Sequence, residues 1–70
     1  MKKFRVQKYN PKRPEDKQNI QDFNTLNEAL NFVNIEYDWK SHESCGSEHY
    51  FYLSPKGYGG DEIDVFEFEE

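Results

Sequence analysis

The chain has 70 residues, of which 34% are hydrophobic and 33% charged, and a formal net charge of −5. That length allows one domain, close to the lower limit at which a chain buries a core unaided. A single cysteine excludes an internal disulfide, no apolar run is long enough for a membrane helix, and no signal-peptide pattern opens the chain, so the expected setting is reducing and cytoplasmic.

Residues 3–9 alternate, with Phe4 and Val6 on one side and Arg5 and Gln7 on the other, which predicts a half-buried strand. Asn10-Pro11 ends it, and the charged stretch 10–17 reads as a loop. Ile20 and Phe23 mark a weaker apolar patch at 18–24, either a returning strand or the approach to a helix. Thr25-Leu-Asn-Glu28 has the form of a capping box. Leu26, Ala29, Leu30, Val33 and Tyr37 follow at helical spacing, with Phe32 and Ile35 widening the apolar face, so 26–37 is an amphipathic helix. Asn27, Asn31 and Asn34 are poor helix formers, so packing must hold it.

Residues 40–47 are polar and read as a loop. From His49 to Ser54 the pattern alternates again: His49, Phe51 and Leu53 face one way, Tyr50 and Tyr52 the other. Pro55-Lys-Gly-Tyr-Gly-Gly60 is a turn. The last strand spans 62–68, with Ile63 and Val65 opposite Asp64, Phe66 and Phe68, and pairs with 49–54. The expected fold is α+β: a small mixed or antiparallel sheet of three to four strands with one helix on one face, ordered ββαββ or βαββ. Its core would be Phe4, Val6, Leu26, Ala29, Leu30, Val33, Phe51, Leu53, Ile63 and Val65.

Phe4-Arg-Val-Gln-Lys-Tyr-Asn-Pro11, Arg13-Pro-Glu-Asp-Lys17, Gln21-Asp-Phe23, Leu26-x-x-Ala29-Leu30 and Ser44-Cys-Gly-Ser47 together carry a resemblance. The stretch resembles the N-terminal [2Fe–2S] ferredoxin-type domain of succinate dehydrogenase iron–sulfur subunits. The resemblance implies a β-grasp fold. That family's cluster takes four ligands of the cysteine type. Here Cys45 stands where one belongs and Glu48 where the next belongs, so the resemblance speaks for the fold and against electron transfer.

No catalytic motif is complete. His42, Cys45 and His49, with Asp38 or Glu43, have zinc-ligand chemistry but form one irregular group where structural zinc sites have paired clusters; a polar loop with a free thiol is the simpler reading. Cys45 beside either histidine lacks an orienting group and an oxyanion donor. The glycines at 57, 59 and 60 precede a strand, whereas a phosphate loop leads into a helix. We therefore expect no enzyme and no cofactor or metal.

Charge is divided along the chain. Residues 1–17 hold seven Lys/Arg against two acidic residues, a net of +5, and residues 18–70 hold two against twelve, a net of −10. Either an acidic surface meets something basic, or the two halves fold against each other. The leading expectation is a protein-binding module that docks an acidic, aromatic surface on a basic partner. Its contact residues would be Trp39, Tyr50, Tyr52, Tyr58, Asp61, Glu62, Asp64, Phe66, Glu67 and Phe68. Spaced carboxylates also suit a DNA mimic directed at a nucleic-acid-binding protein, as in small inhibitors of bacteriophages. The alternative is a single-stranded nucleic-acid module using Lys2, Arg5, Lys8, Lys12 and Arg13 with the tyrosines, though the acidic surroundings oppose it. A homodimer through the aromatic face or an edge strand fits the same residues.

Overall fold

The computed structural model describes residues 1–55 and 60–70. Strand β1 (Lys2–Tyr9) leads through a 3₁₀ turn (Pro14–Asp16) to β2 (Gln18–Phe23) and helix α1 (Leu26–Glu36). Strands β3 (Ser41–Cys45), β4 (Glu48–Tyr52) and β5 (Glu62–Glu69) follow. They form one sheet in the order β2-β1-β5-β4-β3, and every neighbouring pair is antiparallel. The fold is thus α+β with one helix on one face of the sheet, with five strands where three to four were expected.

The extra strand is β3, where a loop was expected. Ser41-His-Glu-Ser-Cys45 has no apolar alternation because β3 is an edge strand and four of its five residues are exposed. Its ladder to β4 is closed by a turn at Gly46-Ser47, with Cys45 opposite Glu48. Gly46 has φ +62°, and no residue other than glycine has positive φ among the described residues, which is the pattern of a II′ hairpin turn. The patch at 18–24 is a strand, joined to β1 with a bulge at Val6/Gln7 that lets Ile20 reach the core.

The capping box forms as read. The Glu28 amide donates to Thr25 Oγ1 (3.2 Å), and Thr25 Oγ1 donates to the Glu28 carboxylate (2.9 Å). The helix stops one residue early, and Tyr37 turns extended while its amide still bonds Val33 O. Ala29 and Val33 meet Val6, Phe51, Ile63 and Val65 in a fully buried cluster. Phe4, Leu26, Leu30 and Leu53 pack around it, so all ten expected core residues belong to it. Ile35 does not: it points away from the sheet and is 80% exposed, because its helical position lies opposite Ala29 and Val33.

The divided charge folds on itself. β1 pairs with β5 along its whole length, placing the basic segment beside the acidic one. Lys2 reaches Glu67 (3.2 Å), Lys3 reaches Glu70 (2.8 Å), Lys8 reaches Asp61 (3.6 Å), and Arg5 holds Asp22 on β2 through two nitrogens (2.9 and 3.2 Å). Such exposed pairs add little stability. Their effect is to neutralise most of the basic strand within the molecule.

Candidate functional site

The strand registers decide what shares each face. Val6 stands opposite Val65 and Phe51 opposite Ile63, beneath the helix. The other face carries the alternate residues. Across it run the row Gln7–Asp64–Tyr50–Glu43 and the row Tyr9–Glu62–Tyr52–Ser41. Beside them Arg5 faces Phe66 and Lys3 faces Phe68. No element among the described residues packs on this face, an arrangement antiparallel sheets tolerate when the residues are polar or aromatic.

Six of the ten expected contact residues gather there: Tyr50, Tyr52, Glu62, Asp64, Phe66 and Phe68. Three lie elsewhere. Trp39 is on the helix side, against Phe51 (centroids 5.3 Å apart), and its indole donates to Asn34. Glu67 stands opposite Phe4 on the helix side. Asp61 precedes β5 and accepts from the Asn10 amide (3.0 Å). Tyr58 lies outside the described residues.

The centre of the open face is a carboxyl pair. Glu62 and Asp64 are two residues apart on β5, and Glu62 is only 8% exposed. Burial, then a hydrogen bond with Glu62 and its charge, push the Asp64 carboxyl up to about 8. Asp64 therefore holds its proton well above the usual carboxylate range. Its Oδ1 is buried without a hydrogen-bond partner among the described residues. Three neighbouring donors are turned elsewhere. Gln7 donates to Asn19 (2.9 Å), Tyr50 to Glu48, and Tyr52 to Glu43 (3.5 Å). The Glu48 bond, burial and nearby acidic groups push the Tyr50 phenol up to about 12. Burial and the acidic groups around it also raise Tyr52. Both phenols thus stay neutral donors with apolar rings.

No family model, curated protein or solved structure matches this chain.

The residues with zinc-ligand chemistry, His42, Cys45 and His49, do not come together. His42 and His49 are on the helix side of the β3–β4 hairpin, with ring nitrogens 2.9 Å apart, while Cys45 alternates to the other face and is exposed. Among the described residues no three His, Cys, Asp or Glu converge for a metal. The His42 ring lies parallel to Phe51 (4.4 Å, 6°) with Trp39 edge-on; Trp39 extends the core beyond the end of the helix, and His42 stays exposed at its margin. Burial, and secondarily the His42 charge, lower the His49 pKa.

The basic residues of the nucleic-acid alternative also separate. Arg5 is on the open face, bound to Asp22 and lying 4.2 Å over the Phe68 ring. Lys8 is on the helix side, and Lys12 and Arg13 are in the loop after β1. Sequence reasoning missed Tyr9 and Lys17. Tyr9 stands opposite Glu62, and the Lys17 ammonium lies 5.3 Å from the centre of the Tyr9 ring. The signal for Tyr9 was the alternation of β1 itself, continued one residue further.

No helix among the described residues is long and apolar enough to cross a membrane.

Proposed function

We propose that this chain is a non-enzymatic protein-binding module that docks the open face of its sheet on a basic partner. The observation that carries the reading is the grouping of Tyr50, Tyr52, Phe66 and Phe68 with Glu62 and Asp64 on one surface that no element among the described residues covers. Half-buried rings supply apolar contact area with little side-chain entropy to lose. The carboxyls, with Glu43 and Glu48 on the neighbouring strands, set a negative field on the β3–β5 half of the face. A DNA-binding protein is one basic partner this field suits, which keeps the DNA-mimic reading within the proposal. Direct binding of nucleic acid is disfavoured, because Lys2, Arg5 and Lys8 are engaged by carboxylates of the chain itself.

The test is affinity capture from lysate of the native host with wild type, a Tyr50→Ser/Phe68→Ser variant and a Lys40→Ser control, after thermal melts establish that all three fold. A protein held by wild type and Lys40→Ser but lost from the double variant supports the reading. Equal retention by all three contradicts it.

A further inference from the structure

The two edges of the sheet differ. On β2, Val6 stands opposite Gln21 and Gln7 opposite Asn19, so Ile20 is left over in the β1–β2 register. A bulge of this kind turns an edge strand away from further pairing. β3 pairs with β4 in unbroken register from Ser41–Tyr52 to Cys45–Glu48, and it holds no proline and no lysine. The ladder fixes which backbone groups β3 presents. Leu53 N donates to Asp61 O (3.1 Å), so the odd-numbered residues of β4 bond β5 and the even-numbered ones bond β3. Ser41, Glu43 and Cys45 therefore turn their amides and carbonyls towards β4, and His42 and Ser44 turn theirs outward. Among the described residues no strand lies beyond β3.

We propose that β3 accepts an added antiparallel strand from the basic partner, an extended segment that alternates lysine or arginine with apolar residues. This rests on the reading of the chain as a module for a basic partner. Charge chooses the occupant. Residues directly opposed in an antiparallel ladder share a face, so the residue set against Glu43 falls on the open face, near Glu48, Tyr50 and Tyr52 of β4, where a cation is favoured. The residues set against His42 and Ser44 fall on the helix side, where an apolar side chain extends the run of rings formed by Trp39, His42 and Phe51. A second copy is the poorer occupant. Pairing two β3 strands about their midpoint sets Glu43 against Glu43, and each chain carries a net charge of −5. An added strand also continues the open face outward, so the docking face and this edge form one surface.

The test titrates a blocked peptide of alternating lysine and valine into the full chain and follows backbone amides by NMR hydrogen exchange. The parent peptide is compared with a form N-methylated at its valines and a form N-methylated at its lysines, all of one charge. In the added strand the valine amides face β3 and the lysine amides face away. Strand addition predicts exchange protection at His42 and Ser44, binding weakened about tenfold or more by methylation at valine, and little change on methylation at lysine. Equal binding by the three peptides, no binding by the parent, or binding without protection at His42 and Ser44 would overturn it. Protection of these amides that grows with protein concentration in the absence of peptide would give the edge to a second copy and overturn the choice of occupant. Ser44→Pro is the matching variant: the Ser44 amide points outward, so proline leaves the β4 ladder intact and removes one donor. Once a melt shows that it folds, it should bind the parent peptide about tenfold weaker or worse, and unchanged binding would overturn the proposal; if it does not fold, the peptide series on wild type decides. In the lysate capture, a partner kept by Ser44→Pro and lost from Tyr50→Ser/Phe68→Ser would remove strand addition and leave the docking face standing, so the two ideas fail separately.

Discussion

Asp64 and Glu62 stand two residues apart on β5 and point the same way, to the open face of the sheet, and burial together with Glu62 raises the Asp64 pKa. A raised carboxyl pKa means the folded state holds its proton more tightly than the unfolded chain. Its contribution is present in full below the ordinary carboxylate range and is lost as pH rises towards about 8. Asp64→Asn should therefore stabilise the protein at pH 9, by about 1–2 kcal/mol after allowance for solvent screening of a part-exposed group. The gain should shrink towards zero near pH 4. Thermal melts at both pH values check this, and a gain of the same size at both would contradict it.

The histidine pair predicts the opposite slope. His42 and His49 share a ring-nitrogen hydrogen bond, which needs one unprotonated nitrogen as acceptor. Since the His49 pKa is lowered, the folded state prefers the neutral ring. That stability is present above the usual histidine value and is lost as pH falls through the folded pKa. NMR titration should place His49 below the free-histidine value, and the β3–β4 amides should lose exchange protection first on acidification. A His49 that titrates above the free-histidine value of about 6.5 would refute the arrangement.

The helix and core make a graded set. Thr25→Ala removes the cap bond to Glu28 and should cost about 1 kcal/mol. Ile63→Ala empties a fully buried site and should cost about 2–5 kcal/mol. Ile35→Ala, on the outer side of the helix, should fall within about 0.5 kcal/mol of wild type. Urea unfolding of the three variants gives the order, and a large loss at Ile35 would contradict the placement of the helix.

Two glycines are required for different reasons. Gly46 supplies the positive φ of the β3–β4 turn, with open space around it, so Gly46→Ala should cost about 1 kcal/mol from backbone strain alone. Gly60 is a matter of room: a Cβ there would come within 1.9 Å of Ser54 Oγ and 2.6 Å of Ser54 Cβ. Gly60→Ala should destabilise, and adding Ser54→Gly should restore most of the loss. A double-mutant cycle with no coupling would rule out that contact.

The strands that carry the core were legible because their apolar residues alternate. Val6, Phe51, Ile63 and Val65 each fall on the face their spacing assigns. Tyr50, Tyr52, Asp64, Phe66 and Phe68 were placed on the opposite face by the same rule. β3 was not legible, since an edge strand exposed on both sides leaves no apolar period to read. Trp39 read as a surface anchor, yet it is the ring that covers the sheet where the helix ends. Glu67 was grouped with the contact residues against that same alternation, which places it with Ile63 and Val65 on the helix side, beside Phe4, where Lys2 takes its charge. The divided charge left two readings open, and the β1–β5 pairing supports the folding of basic against acidic segments for Lys2, Lys3 and Lys8.

The most direct measurement of the central claim is site-specific photo-crosslinking in the native host. A benzophenone amino acid placed at Phe68 would sit on the open face, and one at Ile35 on the exposed outer side of the helix. The account predicts a discrete protein adduct from position 68 and none from position 35. An adduct from position 35 alone would put the docking surface on the helix and contradict the assignment of the open sheet face.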